Sequence, residues 1–255
     1  NEISLEGNFP AVGQYDDYVY HEVDEYNVLK SGREWFGERF DINNQHSFTI
    51  DMSGVVENSS IKVVSDVMGQ SYGSSSINLL WNNTAILQQD LPLIPNTQYG
   101  IKGVHKRDTV SFNAMAVGAP STSSQEIKYQ FNRASSGASA AYLDFFLLNV
   151  KRSLALREHQ TIFRAAESLS QPVSTYLISG VSEGCMVWNI TDPYNVQLHG
   201  YALQGDIAQF SDESETLQEY IVFDGNVPSP KLISKVENQD LHGTSTPNLV
   251  IISHP

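Results

Sequence analysis

The sequence predicts an all-β protein, with an antiparallel β-sandwich of jelly-roll type followed by a smaller β unit. Three observations lead to this fold class. Apolar and polar residues alternate with period two from about residue 45 onward, as they do in strands with one buried face. Glycine, asparagine and proline separate the alternating runs, and helical periodicity is almost absent. Short alternating strands with polar connections are typical of antiparallel sandwiches.

The sandwich is predicted to occupy residues 45–152. Its last strand, residues 141–150, is apolar on both faces and is therefore expected to be central in a sheet and covered on both sides. Turn signals fall at 69–76, 81–84, 92–96 and 118–121, and the remaining alternating runs lie at 48–52, 61–67, 77–81, 110–116 and 127–131.

Residues 153–240 are predicted to form the second, smaller β unit, with strands near 161–164, 174–178, 185–190, 196–199 and 219–223. The pattern leaves open whether this is a separate unit or the remainder of one larger sandwich. Residues 1–44 form an acidic, tyrosine-rich segment with one short helical pattern at 24–29. Residues 241–255 read as a linker followed by a continuous apolar run at 248–253, which is typical of the first strand of an α/β domain that continues beyond the sequence.

The charge of the chain excludes one class of function. Twenty-nine acidic and fifteen basic residues give a net charge of −14, and residues 1–41 alone hold ten acids and three bases. A surface of this sign repels phosphate backbones, so nucleic-acid binding by charge attraction is not expected. The acids could in principle form a calcium site, but no loop has the D-x-D-x-D-G pattern, and no metal site is predicted.

The sequence contains no recognisable catalytic motif. Cys185 is the only cysteine, and its apolar, strand-like surroundings predict a buried, inert thiol. The seven histidines show neither H-x-x-x-H nor H-x-H spacing, and no nucleophile elbow, Walker loop or dinucleotide fingerprint occurs. The sequence therefore predicts no catalytic, cofactor-binding or metal-binding residue and no cofactor.

The aromatic residues allow a binding hypothesis. Trp35, Trp81, Trp188 and a tyrosine cluster could provide flat platforms on which sugars stack, although packing in the core is the simpler explanation for them. The cluster comprises Tyr15, Tyr18, Tyr20 and Tyr26. Trp81 borders an Asn-Asn-Thr turn and is the candidate expected to be exposed.

Two blocks of sequence resemble a known family. Residues 31–41, Ser-Gly-Arg-Glu-Trp-Phe-Gly-Glu-Arg-Phe-Asp, are similar to the block that precedes the β-sandwich of gingipain-like cysteine peptidases. Residues 235–243, followed by Pro247 and an apolar run, resemble the entry into that family's peptidase domain. Residues 143–145 and 187–193 look like family landmarks in the same order. Within the family, the chain most resembles the sortases of the type IX secretion system, the PorU-like proteins.

The resemblance implies an exported protein of the Bacteroidetes type at the cell surface or outer membrane. It places the catalytic histidine and cysteine in a downstream α/β domain beyond Pro255, so no catalytic residue is carried onto this sequence. The chain would then support or orient that peptidase domain, with outer-membrane secretion components as further partners. Gly32, Gly37 and Trp35 would have structural roles. The alternatives are a surface carbohydrate-binding or adhesion module and a structural spacer without a ligand.

Overall fold

The structure is a computed structural model that describes residues 2–3, 7–28, 32–118, 124–227 and 229–237, together with 240, 243 and 245. Contacts between Cα atoms divide the chain into a unit of residues 1–225 and a second unit of residues 226–255. The described residues of the second unit contain no helix or strand. All the elements discussed below belong to the first unit.

The first unit is built almost entirely from strands. In the part of this unit that the structure describes, the two helical segments are short 3-10 turns at Ala114–Val117 and Ala166–Ser170. No helix among the described residues is long and apolar enough to cross a membrane. In chain order the strands are β1 (Glu2–Ile3), β2 (Ala11–Val12), β3 (Gln14–Glu22), β4 (Arg39–Phe40), β5 (Gln45–Asp51), β6 (Ser60–Ser71), β7 (Ser75–Trp81), β8 (Thr84–Leu91), β9 (Val104–Asn113), β10 (Ser124–Asn132), β11 (Ser139–Ser153), β12 (Gln160–Phe163), β13 (Val173–Ile178), β14 (Met186–Asn189), β15 (Gln197–His199), β16 (Ala202–Gln204), β17 (Ile207–Glu213) and β18 (Tyr220–Phe223).

Two antiparallel sheets enclose the larger core. One has the strand order β5-β10-β7-β8, and the other has the order β3-β11-β6-β9 with β4 paired to β11. Alternate residues of each sheet point inward and interdigitate, as period-two patterning requires. The fully buried side chains include Trp81, Tyr129 and Phe146.

A second pair of sheets encloses a smaller core. Their strand orders are β1-β15-β14-β18-β12 and β16-β17-β13-β2. Four aromatic rings meet between them, and the ring centroids of Tyr176 and Tyr220 lie 4.9 Å apart. Phe163 and Phe210 complete this aromatic group.

The strands that begin the chain pair with strands far along it. β3 pairs with β11, where Tyr15 lies opposite Arg152, and β2 runs parallel to β13, where Ala11 lies opposite Thr175. Arg152 is buried, and its guanidinium binds Asp17 at 2.5 Å and the backbone carbonyl of Asp51 at 2.7 Å. The strands β1 to β4, which lie within residues 1–44, therefore form part of the sheets of both cores.

The predicted all-β sandwich class is confirmed, and each predicted strand within the described residues has a counterpart. The predicted helix at 24–29 is wrong for the residues described, 24–28. Tyr26 instead makes a β-bridge to Phe36, with N–O distances of 2.8 and 3.0 Å, and packs on Tyr142. Tertiary packing has overridden a weak local helical pattern. The proposed domain boundaries stay predictions, and the apolar run at 248–253 lies outside the described residues.

The structural roles predicted for the glycines have a physical basis in the backbone. Gly32 has φ of +71°, in the left-handed region that side chains disfavour. At Gly37, a Cβ atom would lie 3.0 Å from the carbonyl oxygen of Val23, and the Gly37 N–H donates to the Leu143 carbonyl at 2.8 Å. Trp35 is half-buried beside them.

Candidate binding surface

One face of the sheet β3-β11-β6-β9 points away from the larger core. Its register places Asn149 opposite both Tyr18 and Lys62, and Lys62 opposite Ser111, so these four side chains form a row across four strands. All four are exposed. Because adjacent strands lie about 4.8 Å apart, the row spans about 14 Å.

The neighbouring row on this face is more apolar. It consists of Tyr20, Leu147, Val64 and Thr109, and its aliphatic members are half-buried. We call these two rows together the open face. Tyr18 and Tyr20 lie along one edge and are 59% and 48% exposed, respectively. The Tyr20 hydroxyl donates to the Glu22 carboxylate, and this hydrogen bond raises the pKa of Tyr20 to about 12.

A groove of about 620 Å³ lies over the polar row. Charged side chains in its wall are paired with acids: Lys151 Nζ lies 3.5 Å from an Asp16 carboxylate oxygen, and Arg164 Nε lies 3.3 Å from a Glu219 carboxylate oxygen. Within the described residues, the side chains of the polar row have no hydrogen-bond or ion-pair partner. The groove floor therefore presents free donors and acceptors beside an aromatic ring, which is the chemistry that polyhydroxylated ligands need.

A second cluster lies on the same side of the sheet, beyond the open face. Asp66 on β6 is 3% exposed, and its Oδ1 atom lies 3.2 Å from His105 Nδ1 on β9. Its Oδ2 atom accepts from Arg107 Nε at 2.6 Å, and the Arg107 guanidinium lies 4.9 Å from the centre of the Phe145 ring. Glu34 approaches from a preceding segment, with its Oε2 atom 4.0 Å from His105 Nε2.

Asp144 joins this cluster through an irregularity in β11. The register with β6 shifts between Leu143 and Phe145, so two residues of β11 lie where one would be expected. A bulge of this kind changes where the side chains point. Burial raises the pKa of Asp144 to about 6, and the nearby Asp66 carboxylate adds to the effect. Ligating atoms of Asp66, His105 and Asp144 all lie within 4.8 Å of one another.

The aromatic candidates identified from sequence lie in different environments. Trp81, expected to be exposed, is completely buried, and its indole N–H donates to Gln125 Oε1 at 3.0 Å. This expectation is wrong because Trp81 is in phase with Ile77 and Leu79 on the inward face of β7. Of the tyrosine cluster, Tyr15 is buried, whereas Tyr18 and Tyr20 lie on the open face; Tyr26 is 38% exposed and Trp188 36%.

Cys185 is buried, as its sequence surroundings predict. Its sulfur lies 3.7 Å from Ser182 Oγ, and its carbonyl oxygen accepts from the Tyr201 hydroxyl at 2.9 Å. No histidine among the described residues forms a hydrogen bond with the thiol. The open face and the Asp66–His105–Asp144 group were not identified from sequence; only the tyrosine cluster and the interruption of an apolar run by Asp144 pointed towards them.

The fold defines a large all-β protein with two packed pairs of sheets, and the open face is a solvent-exposed part of one of these sheets. Among solved structures, the chain is similar to dimeric latent PorU from Porphyromonas gingivalis, with a TM-score of 0.74 and 18% identity. The match covers 95% of this chain and 23% of the PorU chain, so this chain spans about a quarter of that protein. The PorU-like all-β fold expected from the sequence is thereby confirmed.

Other similarities are much weaker. A carbohydrate-binding module, CBM36, in complex with calcium and xylotriose matches 51% of this chain with a TM-score of 0.31 and 15% identity. The CBM36-1 domain of a xylanase from the hindgut metagenome of Trinervitermes trinervoides matches 52% with a TM-score of 0.32 and 12% identity. These matches cover 97% and 95% of the respective modules. No family model matches the sequence, and no curated protein matches it.

Proposed function

We propose that this chain is a non-catalytic β region of a cell-surface protein related to the type IX secretion sortase, and that it supports or orients a catalytic domain. The observation that carries the proposal is the likeness to PorU over 95% of this chain and only 23% of PorU. A chain that matches only about a quarter of a longer protein is suited to a supporting role within a larger protein of that kind. The burial of Cys185 also favours a packing role for the only thiol.

The first test measures peptide-bond cleavage. The purified chain and its Cys185→Ser variant are incubated with a panel of fluorogenic peptides that includes arginine and lysine substrates. We expect both proteins to give the same rate as buffer, because a buried thiol that is not hydrogen-bonded to a histidine is not activated. Turnover by the wild type that disappears in Cys185→Ser would refute the proposal.

The supporting role requires a second measurement on the full-length protein. We expect removal of residues 1–225 to lower the thermal midpoint of the remaining domains and their activity, and addition of the isolated chain in trans to restore part of each. If deletion changes neither property, the chain is a spacer and not a support.

A second candidate function, saccharide binding, is favoured by the open face itself. Tyr18 and Tyr20 are exposed along one edge of the open face. The polar row, which includes Tyr18, lines a groove of about 620 Å³, and its side chains have no protein partner within the described residues. Sugar rings stack on aromatic faces through their C–H groups while their hydroxyls bond to amide, hydroxyl and ammonium groups. Outer-membrane or cell-wall polysaccharides would be suitable ligands at a cell surface.

Tyrosine substitution tests this second candidate. In affinity electrophoresis against a polysaccharide panel, we expect Tyr18→Ala and Tyr20→Ala each to weaken binding about tenfold, since an aromatic contact contributes about 1 kcal/mol or more. Tyr194→Ala is the matched control, because Tyr194 is 98% exposed and lies in a turn outside the open face. Absence of retardation by every polysaccharide, or equal loss in the control, would reject saccharide binding at this face.

A further inference from the structure

We propose that Asp66, His105 and Asp144 form a binding site for a first-row divalent transition-metal ion, with Zn²⁺ as the best fit. The proposal goes beyond the proposed function and does not depend on it. It rests on the spacing of the ligand atoms, the bulge that brings Asp144 to the group, and the balance of charge around it.

The spacing of two of the ligand atoms already suits zinc. Zinc–nitrogen and zinc–oxygen bonds are about 2.0–2.1 Å, so two ligands of a tetrahedral ion lie about 3.3 Å apart. Asp66 Oδ1 and His105 Nδ1 are 3.2 Å apart. The third ligand, a carboxylate oxygen of Asp144, is within 4.8 Å of the others, which a side-chain rotation can close. Placement on three adjacent strands makes the group rigid.

The bulge explains how three strands contribute to one site. Leu143 and Phe146 both pack in the larger core, so the two residues between them, Asp144 and Phe145, occupy the outer side together. Regular alternation would allow only one outer residue there. The extra outer position belongs to Asp144, beside the buried Asp66. Bulges are frequent next to functional sites, where they redirect a side chain.

The supporting contacts resemble those around known metal ligands. Arg107 binds Asp66 Oδ2 at 2.6 Å, which fixes the carboxylate and leaves Oδ1 as the oxygen nearest His105. If His105 ligates through Nδ1, its Nε2–H faces Glu34 Oε2 at 4.0 Å. A carboxylate at the second ring nitrogen commonly orients a ligating histidine.

Charge and ligand type select the ion. Asp66, Asp144 and Glu34 place three carboxylates at this site, and Arg107 binds one of them, so a divalent cation reduces the local negative charge. An imidazole ligand favours zinc and its neighbours, whereas calcium prefers six to eight oxygen ligands and magnesium retains an octahedral oxygen shell. His105 and Glu34 also line a pocket of about 340 Å³, which provides access from solvent.

The test uses metal titration of the chain after chelator treatment and dialysis. With Zn²⁺ in excess we expect a rise of several degrees in the thermal midpoint, because an ion that binds only the folded state stabilises it. Co²⁺ is expected to give visible absorption typical of a four-coordinate site. Ca²⁺ and Mg²⁺ at the same concentration are expected to give no shift.

Three variants make the result specific. His105→Ala and Asp144→Asn are expected to lower Zn²⁺ affinity at least tenfold, because each removes a proposed ligand. Both side chains are partly exposed, so their replacement should leave the fold intact. The control is His159→Ala, which removes an exposed histidine paired with Asp224 at 2.8 Å elsewhere on the molecule. Thermal midpoints without metal check the folding of each variant. The proposal is overturned if the wild type shows no Zn²⁺-dependent shift, or if His105→Ala binds Zn²⁺ as tightly as His159→Ala does.

Discussion

Replacing Trp81 with alanine is expected to lower the free energy of unfolding by about 3–5 kcal/mol. The indole is completely buried in the larger core, lies edge-on to Phe112 with ring centroids 5.7 Å apart, and donates a hydrogen bond to Gln125. Truncation removes these contacts and leaves a cavity that the two rigid sheets cannot close. Urea unfolding followed by circular dichroism measures the change.

Trp188→Ala provides the matched control for this prediction. Trp188 packs edge-on against Phe223, with ring centroids 5.0 Å apart, but it is 36% exposed. Its replacement by alanine should therefore lower the free energy of unfolding by only about 1 kcal/mol. If Trp81→Ala costs no more than Trp188→Ala, the placement of Trp81 in the core is wrong. The same pair of variants would separate a stability effect from any role of Trp81 in ligand binding.

The second large loss of folding stability is expected on substitution of Asp212 in the smaller core. Its Oδ2 atom accepts from the Tyr220 hydroxyl at 2.8 Å and lies 3.1 Å from Nε2 of the fully buried His199. The histidine contact is close but poorly aligned for a hydrogen bond, so we regard it as electrostatic. Asp212→Ala would leave the buried Tyr220 hydroxyl without its acceptor and remove the carboxylate beside the buried His199, so we expect it to lower the free energy of unfolding by about 3–5 kcal/mol. Tyr220→Phe removes only the hydroxyl group and should lower the free energy of unfolding by about 1 kcal/mol.

The pH dependence of stability tests the same group. Burial raises the pKa of Asp212, but the His199 contact and the Tyr220 and Glu213 hydrogen bonds outweigh burial and hold it below its usual range. Since the folded pKa is depressed, the contribution is present above the unfolded value of about 3.9 and is lost as pH falls through the folded value. The stability difference between wild type and Asp212→Asn should therefore be larger at pH 5 than at pH 3. Equal differences at the two pH values would contradict this assignment.

Much of the fold could be predicted because strand patterning is local. The runs containing Phe48 to Met52 and Ile77 to Trp81 alternate cleanly, and each corresponds to a strand with the expected inward face. The same rule places Trp81 inside, in phase with Ile77. A neighbouring turn suggested exposure, but the turn begins one residue later, at Asn82, where φ is +45°.

The two candidate sites could not be predicted, because they depend on non-local register. The polar row comes from four strands, and it is aligned only by the pairing of β3 with β11, of β11 with β6 and of β6 with β9. Asp144 depends on a bulge, and a bulge reverses the alternation that identifies a strand face. In sequence, Asp144 only interrupts an apolar run.

The long-range pairing of the first strands has a consequence during synthesis. β3 can pair completely only after residue 153 has left the ribosome, β2 only after residue 176 and β1 only after residue 199. These three strands are therefore without hydrogen-bonding partners for the longest part of synthesis. Unpaired strand edges promote association between nascent chains. The ten acidic residues within positions 1–41 cause electrostatic repulsion between the unpaired segments of neighbouring nascent chains. The same charges that line a folded surface would thus protect the segment from aggregation before its partners are made.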